Sequence, residues 1–260
     1  MTKYQEISLG LKKIGKLIES WRDDISAREL LDPKAFKTQA DMTAHALIVE
    51  LIKSIDGQAV IVSEEDFDEG RKRDSAYWII DPIDGTASWY GGYRGFVTQV
   101  AFVEDEKPVF AAVYAPVLDK LWTAERNKGA FLNNNKLEGA CGVISEINLV
   151  DNYPEPKHIA KTISENFPIK AYIESGSIGL KSCLVADGTA DLFVKDVVIR
   201  DWDVAPAMLI LEELGGVVSD LKGNPIVLNG SFDKNNGLLV ARNMELARRV
   251  IEFVKLDTND

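Results

Sequence analysis

Apolar residues recur at helical spacing at both ends of this chain and in nearly unbroken runs between them. Ile7, Leu11, Ile14, Ile18 and Trp21 mark one stripe, and Leu47, Ile48, Leu51 and Ile52 another, so the first 55 residues predict two amphipathic helices. Runs at 59–63, 77–80, 96–104, 109–114 and 120–124 read as the strands those helices cover. Glu104 to Pro108 reads as a polar hairpin turn, 66–74 as a charged exposed loop, and Asn133-Asn134-Asn135 as a further turn.

After Gly142 the elements shorten and alternate. Strands are expected at 147–150, 171–174 and 191–194, with helices at 158–166 and 178–186. A helix at 204–214 stops at Gly215-Gly216, strand material runs through Val240, and a last helix covers 244–254. This alternation predicts an α/β chain, with an α+β first part, whose sheets lie between helices. A boundary near 140 would divide an N-terminal part, 1–140, holding two helices and an antiparallel sheet, from a C-terminal α/β part, 141–260.

Composition narrows the partners. With 30 Lys and Arg against 41 Asp and Glu, the net charge is −11, which repels nucleic acid and anionic lipid. No partner nucleic acid or membrane is expected, and the N-terminus lacks the apolar core of a signal peptide. The only cysteines, Cys141 and Cys183, form no zinc pattern and are expected to be buried as small apolar residues. These features predict a cytoplasmic protein.

One segment stands apart, the run WIIDPIDGTASW from Trp78 to Trp89. A buried apolar stretch ends in Asp81 and Asp84, which would repel each other unless a cation lay between them. Further acids stand at other element ends: Asp41 after Thr38, Glu64-Glu65-Asp66 after Ser63, and Asp203 after Trp202. Each has a plainer explanation. Thr38 to Asp41 has capping-box spacing, Glu64 to Asp66 a solvated charge run, and Asp203 the position of an N-cap. Asp81-Pro82 with Asp84-Gly85 fits a type I turn. That reading is the weakest, because Gly85-Thr86 also opens a helix whose backbone N–H groups would face an anion.

DPIDGT at Asp81 to Thr86 resembles the signature of the inositol monophosphatase family of Mg²⁺-dependent, lithium-sensitive phosphatases. SEED at 63–66, YAP at 114–116, GAFLN at 129–133, Gly176 with CLVADGTAD at 183–191, and WDVAPA at 202–207 follow in family order. The resemblance implies a layered α-β-α-β-α sandwich of the sugar-phosphatase type and a cofactor of two or three Mg²⁺ ions. It implies Glu64, Asp81, the Ile83 carbonyl, Asp84 and Asp203 as metal ligands, with Gly85 and Thr86 holding phosphate. Asp41, Glu64 and Thr86 would serve the attacking water, and Gly176, Ser177, Lys195 and Asp196 would meet substrate. The substrate would be a small phosphorylated metabolite, and the protein a monomer or a homodimer.

Within the family, SEED, YAP and the spacing from Cys183 to Asp203 look closest to bacterial 3′(2′),5′-bisphosphate nucleotidases. An inositol-1-monophosphatase, or a sugar or histidinol phosphatase, is the alternative, and a non-enzymatic regulatory protein a more distant one. Lys195 turned inward would pair with a second phosphate, whereas Asp196 there would accept hydrogen bonds from a polyol. Trp89, Tyr90 and Tyr93 offer either base stacking or packing beneath a loop, and Arg94 either a phosphate contact or a solvated surface.

Overall fold

In the computed structural model, which describes residues 1–32, 36–68 and 71–257, helices and sheets alternate in five layers. The outer layer pairs α1 (Lys3–Ser20) with α2 (Gln39–Ile55). Ile7, Leu11 and Ile18 of α1 and Ala44, Ile48 and Ile52 of α2 bury one stripe each against Trp78, Ile80, Phe102 and Phe110 of the first sheet. That sheet has seven strands in the order 61–63, 76–84, 97–104, 107–115, 120–125, 129–132, 135–136, antiparallel except for its first pair.

Alternate residues of the same strands face the opposite way. Ile79, Ala101 and Val103 meet Trp202 and Ala205, while Ala111, Val113 and Trp122 meet Leu180, Cys183, Leu209 and Ile210. Both faces are thus covered, which is why these strands read as continuous apolar runs rather than as alternating ones. The middle layer is α5 (Ile178–Ala186) and α6 (Asp201–Glu212); ahead of them in the chain come the short α3 (Thr86–Tyr90) and α4 (Ile159–Asn166).

A second sheet, ordered 169–174, 147–151, 192–195, 238–241, 217–219, places Val150, Phe193, Leu238 and Val240 on the other side of α5 and α6. Its far face is covered by α4 and α7 (Met244–Asp257) through Ile163, Leu246 and Val250. The layered sandwich and the mixed α/β class are those the sequence implied.

Several local expectations need correction. Cys141 is exposed, because it lies in the connection between the two sheets, whereas Cys183 is buried in α5. Asp105 and Glu106 take left-handed φ of 46° and 64° and form the turn alone, so Pro108 falls inside the next strand, where a register shift opposite Val103 tolerates its missing N–H. The strand beginning at Ala76 continues through Asp84, with irregular register between Asp81 and Asp84, instead of stopping at Ile80. Helix α6 begins at Asp201, so Asp203 lies within its first turn and is not the N-cap. Residues 69–70 of the charged loop lie outside the described residues. No helix among the described residues is long and apolar enough to cross a membrane.

Ile48 is fully buried between α2 and the first sheet, whereas Leu9 of α1 is 49% exposed. Ile48→Ala should therefore lower the free energy of unfolding by about 2–5 kcal/mol and Leu9→Ala by less than about 0.5 kcal/mol, read from urea denaturation.

Candidate active site

The end of strand 76–84 carries Asp81, Ile83 and Asp84 to the place where the first sheet meets the N-termini of α5 and α6. Asp81 is almost wholly buried, and its Oδ1 has no hydrogen-bond partner in the protein. Asp84 is held from across the interface. Its Oδ2 accepts from Ser177 Oγ at 2.6 Å and Gly179 N at 2.6 Å, and its Oδ1 from Ile178 N at 3.3 Å. Ser177 is the N-cap of α5 and also accepts from Leu180 N, so one hydroxyl ties Asp84 to the helix end.

Glycine permits this approach. Gly85 has φ +91°, and a Cβ there would meet Gly95 O at 2.9 Å and Ser177 Cβ at 3.1 Å. A Cβ on Gly176 would lie 1.7 Å from Ser88 Oγ, so the turn before α5 fits against α3 only without a side chain.

Asp41 joins from α2. Its Oδ2 accepts from Thr38 N at 2.7 Å, the expected cap, while its Oδ1 accepts from Thr86 Oγ1 at 2.9 Å. The same residue is therefore both a helix cap and a partner of the DPIDGT turn. Thr86 Oγ1 is also 2.9 Å from the Ile83 carbonyl oxygen, leaving that carbonyl a second lone pair. Glu64 opens a 3₁₀ turn after the short edge strand 61–63, and Asp203 Oδ2 accepts from Arg200 N at 2.7 Å.

These acids face one another. Burial and then Glu64, Asp84 and Asp203 push the Asp81 carboxyl well above its ordinary range. Burial and then Asp84 raise Asp203 to about 7, and burial, opposed by the Thr38 hydrogen bond, raises Asp41 to about 6. Surrounding protein and then Asp203, Glu65, Asp84 and Asp41 raise Glu64, but this side chain keeps an open surface, which screens the shift. Among the described residues no three of these carboxylates form a ready-made ligand cage, because Asp84 is turned to α5 and Asp203 to the Arg200 N–H. The donors are nonetheless all oxygens, one of them buried and unpartnered, and mutual repulsion makes positive charge among them favourable. That set suits Mg²⁺.

The sequence-expected substrate residues divide. Lys195 points inward, but its Nζ pairs with Asp151 Oδ1 at 3.3 Å; Lys181 approaches the same oxygen at 3.8 Å. Asp196 is exposed. Ser177 is occupied by Asp84, and Gly176 packs against Ser88 and Gly95. Trp89 is a packing residue whose Nε1 donates to Ile18 O at 2.8 Å, and Tyr90 lies under Arg28, 4.6 Å from its ring centre. Tyr93 differs: it is 51% exposed and stacks on Tyr153 with ring centres 4.7 Å apart. Arg94 beside it is exposed.

Two residues escaped the sequence reading. Gln99 is fully buried and donates to Trp202 O at 2.9 Å, and its lone amide within the apolar run FVTQVAFV was the available signal. Tyr153 carried no local signal, because only the fold brings it to Tyr93.

The family model described as the inositol monophosphatase family matches residues 3–255. An inositol-1-monophosphatase of Mesorhizobium japonicum is 32% identical, with 87% of this chain and 85% of that protein covered. A 3′(2′),5′-bisphosphate nucleotidase CysQ of Aggregatibacter actinomycetemcomitans is 30% identical, with 74% of each covered. The solved structure of the Thermotoga maritima IMPase superposes with a TM-score of 0.77 at 24% identity, over 95% of each chain.

Raised carboxyl pKa values make the folded state bind more protons than the unfolded state, whose aspartates titrate near about 4. Stability from this cluster is therefore present in acid and lost as pH rises toward about 6 for Asp41 and about 7 for Asp203. In EDTA the melting temperature should fall between about pH 4 and pH 7 on this account, and millimolar Mg²⁺ should remove most of that loss. Calorimetric melting across this range with and without Mg²⁺ checks it.

Proposed function

Because the chain belongs to the inositol monophosphatase family, whose members hydrolyse phosphate monoesters, we propose that it dephosphorylates a small metabolite with Mg²⁺ held by Glu64, Asp81, the Ile83 carbonyl, Asp84 and Asp203. The observation that carries this reading is the group of mutually repelling carboxylates, with the unpartnered Asp81 Oδ1 among them. Mg²⁺ bound there would offset the charge of the substrate dianion and of the departing alkoxide, and would make water acidic enough to attack.

The chain's own groups do the rest. Thr86 donates its hydroxyl proton to Asp41 Oδ1, so its free lone pairs can accept from a water and orient it toward phosphorus. Asp41, at about 6, is mostly ionised at neutral pH yet basic enough to receive the proton through that hydroxyl. Backbone N–H groups of Gly85 and Thr86 would take the phosphate oxygens. Ser177 and Gly179 fix Asp84, and Gln99 fixes the Trp202 carbonyl next to Asp203.

For the substrate, a 3′(2′),5′-bisphosphate nucleotide is our first reading. The exposed ring of Tyr93, backed by Tyr153, offers a face for a base. It stands beside Gly95, which borders Gly85, and Arg94 adds a guanidinium for a second phosphate. Of the two residues that could distinguish the substrates, Lys195 points inward beside Lys181 and Asp151, while Asp196 is turned to solvent. Inositol 1-phosphate is the second reading, favoured by the similarity to the Mesorhizobium japonicum enzyme.

Asp81→Asn removes one repelling charge without changing shape. Turnover should drop by roughly 100-fold or more, since the lost charge stabilisation is several kcal/mol, while the Mg²⁺-free melting temperature should rise. Retained turnover would exclude the proposed site. Turnover of adenosine 3′,5′-bisphosphate, inositol 1-phosphate, fructose bisphosphate and histidinol phosphate ranks the substrates. If the nucleotide leads, Tyr93→Ala should raise its KM roughly 5- to 100-fold, the equivalent of about 1–3 kcal/mol of stacking, with inositol 1-phosphate hydrolysis unchanged.

A further inference from the structure

We infer that Arg73 is a positioning residue that holds the first turn of α6 against strand 76–84, and so sets how Asp203 stands relative to Asp81 for a divalent cation; this rests on the metal-dependent reading above. Arg73 joins three separate segments. Its Nε donates to Gly230 O at 3.0 Å, Nη2 to Ser231 O at 3.0 Å and Nη1 to the Tyr77 hydroxyl at 2.9 Å. Nη2 also pairs directly with the Asp201 carboxylate, and the guanidinium lies 3.7 Å from the centre of the Phe232 ring. Such a set needs the planar fork of arginine.

The position of Asp201 gives these contacts their consequence. It is fully buried, begins α6 and precedes Asp203 by two residues on the same helical turn. Its backbone N–H donates to Phe232 O at 3.1 Å, so Arg73, the Phe232 segment and the start of α6 form one body. Lys234 Nζ also lies 3.4 Å from Asp201 Oδ1, so a cation is present at this carboxylate without Arg73. Arg73 alone, of the two, belongs to the segment that leads into strand 76–84, where it meets Tyr77.

A second anchor acts on the same turn. Phe67, three residues after Glu64, packs edge-on against Trp202 with ring centres 5.0 Å apart, and against Phe232 at 5.0 Å. Both residues that precede Asp203 are therefore fastened, Trp202 by the ring of Phe67 and Asp201 by the ion pair with Arg73. Glu64 itself keeps an open surface and starts only a three-residue 3₁₀ turn, which would not fix it.

The test compares wild type, Arg73→Ala, Arg73→Lys and Lys234→Ala. Mg²⁺ binding is followed by isothermal titration calorimetry without substrate, and kcat and KM are measured at saturating Mg²⁺. Arg73→Ala should weaken Mg²⁺ binding roughly 10- to 100-fold and lower kcat with little change in KM. Arg73→Lys should recover only part of the affinity, and Lys234→Ala should bind Mg²⁺ within about 3-fold of wild type, a small change beside that shift. Unchanged Mg²⁺ affinity in Arg73→Ala, or an equal loss in Lys234→Ala, would overturn the inference. If Arg73→Ala does not fold, Phe67→Ala must show the same loss of Mg²⁺ affinity for the inference to stand. Absence of Mg²⁺ binding by the wild type would overturn the metal-dependent reading and this inference with it.

Discussion

Repulsion among carboxylates gathered at one place, Asp81 and Asp84 of them buried, is the constraint on which the rest of this structure depends. Asp81, Asp84, Asp203 and Glu64 raise one another's affinity for protons, and a fold assembled only for stability would not gather them. The surrounding structure is organised to tolerate the conflict. Asp84 is stabilised by the α5 N-terminus, Asp203 by the Arg200 N–H, and Asp41 by Thr38 and Thr86. Asp81 has no such relief at Oδ1 and is the point where added positive charge would gain most.

Close backbone approach makes that organisation feasible. Hydrogen bonds as short as those from Ser177 and Gly179 to Asp84 require α5 to come within contact of the DPIDGT turn. Gly85, Gly95, Gly176 and Gly179 line that seam, and a Cβ on any of them would meet another atom at 3.0 Å or less. Gly85 and Gly95 lie more than 80 residues before Gly176 and Gly179, so nothing local shows that the two pairs share a seam.

The layers and the acids were legible in the chain for different reasons. The helical stripes of α1 and α2 and the apolar strands announce themselves because burial imposes a period on neighbouring residues. The acids were visible because several charges at element ends need explaining, and the family resemblance ordered them. Arg73 and Gln99 act through partners more than a hundred residues away, and Tyr153 through Tyr93, 60 residues before it, and no local pattern encodes such pairings. Cys141 was misjudged because the habit of cysteine to be buried says nothing about a connection that the fold leaves on the surface. The Thr38 to Asp41 segment shows that a structural and a chemical reading need not compete, since one carboxylate caps a helix with one oxygen and meets Thr86 with the other.

The tie between Asp84 and Ser177 has a consequence for how the protein comes into being. The two residues are separated by 93 positions, and the second arrives only after the whole first sheet has left the ribosome. A nascent chain that ends before Ser177 presents its acids without the hydroxyl and amides that restrain Asp84. The restraint on Asp84 therefore comes only with residues 177–179, and order at this carboxylate waits on the segment that carries them.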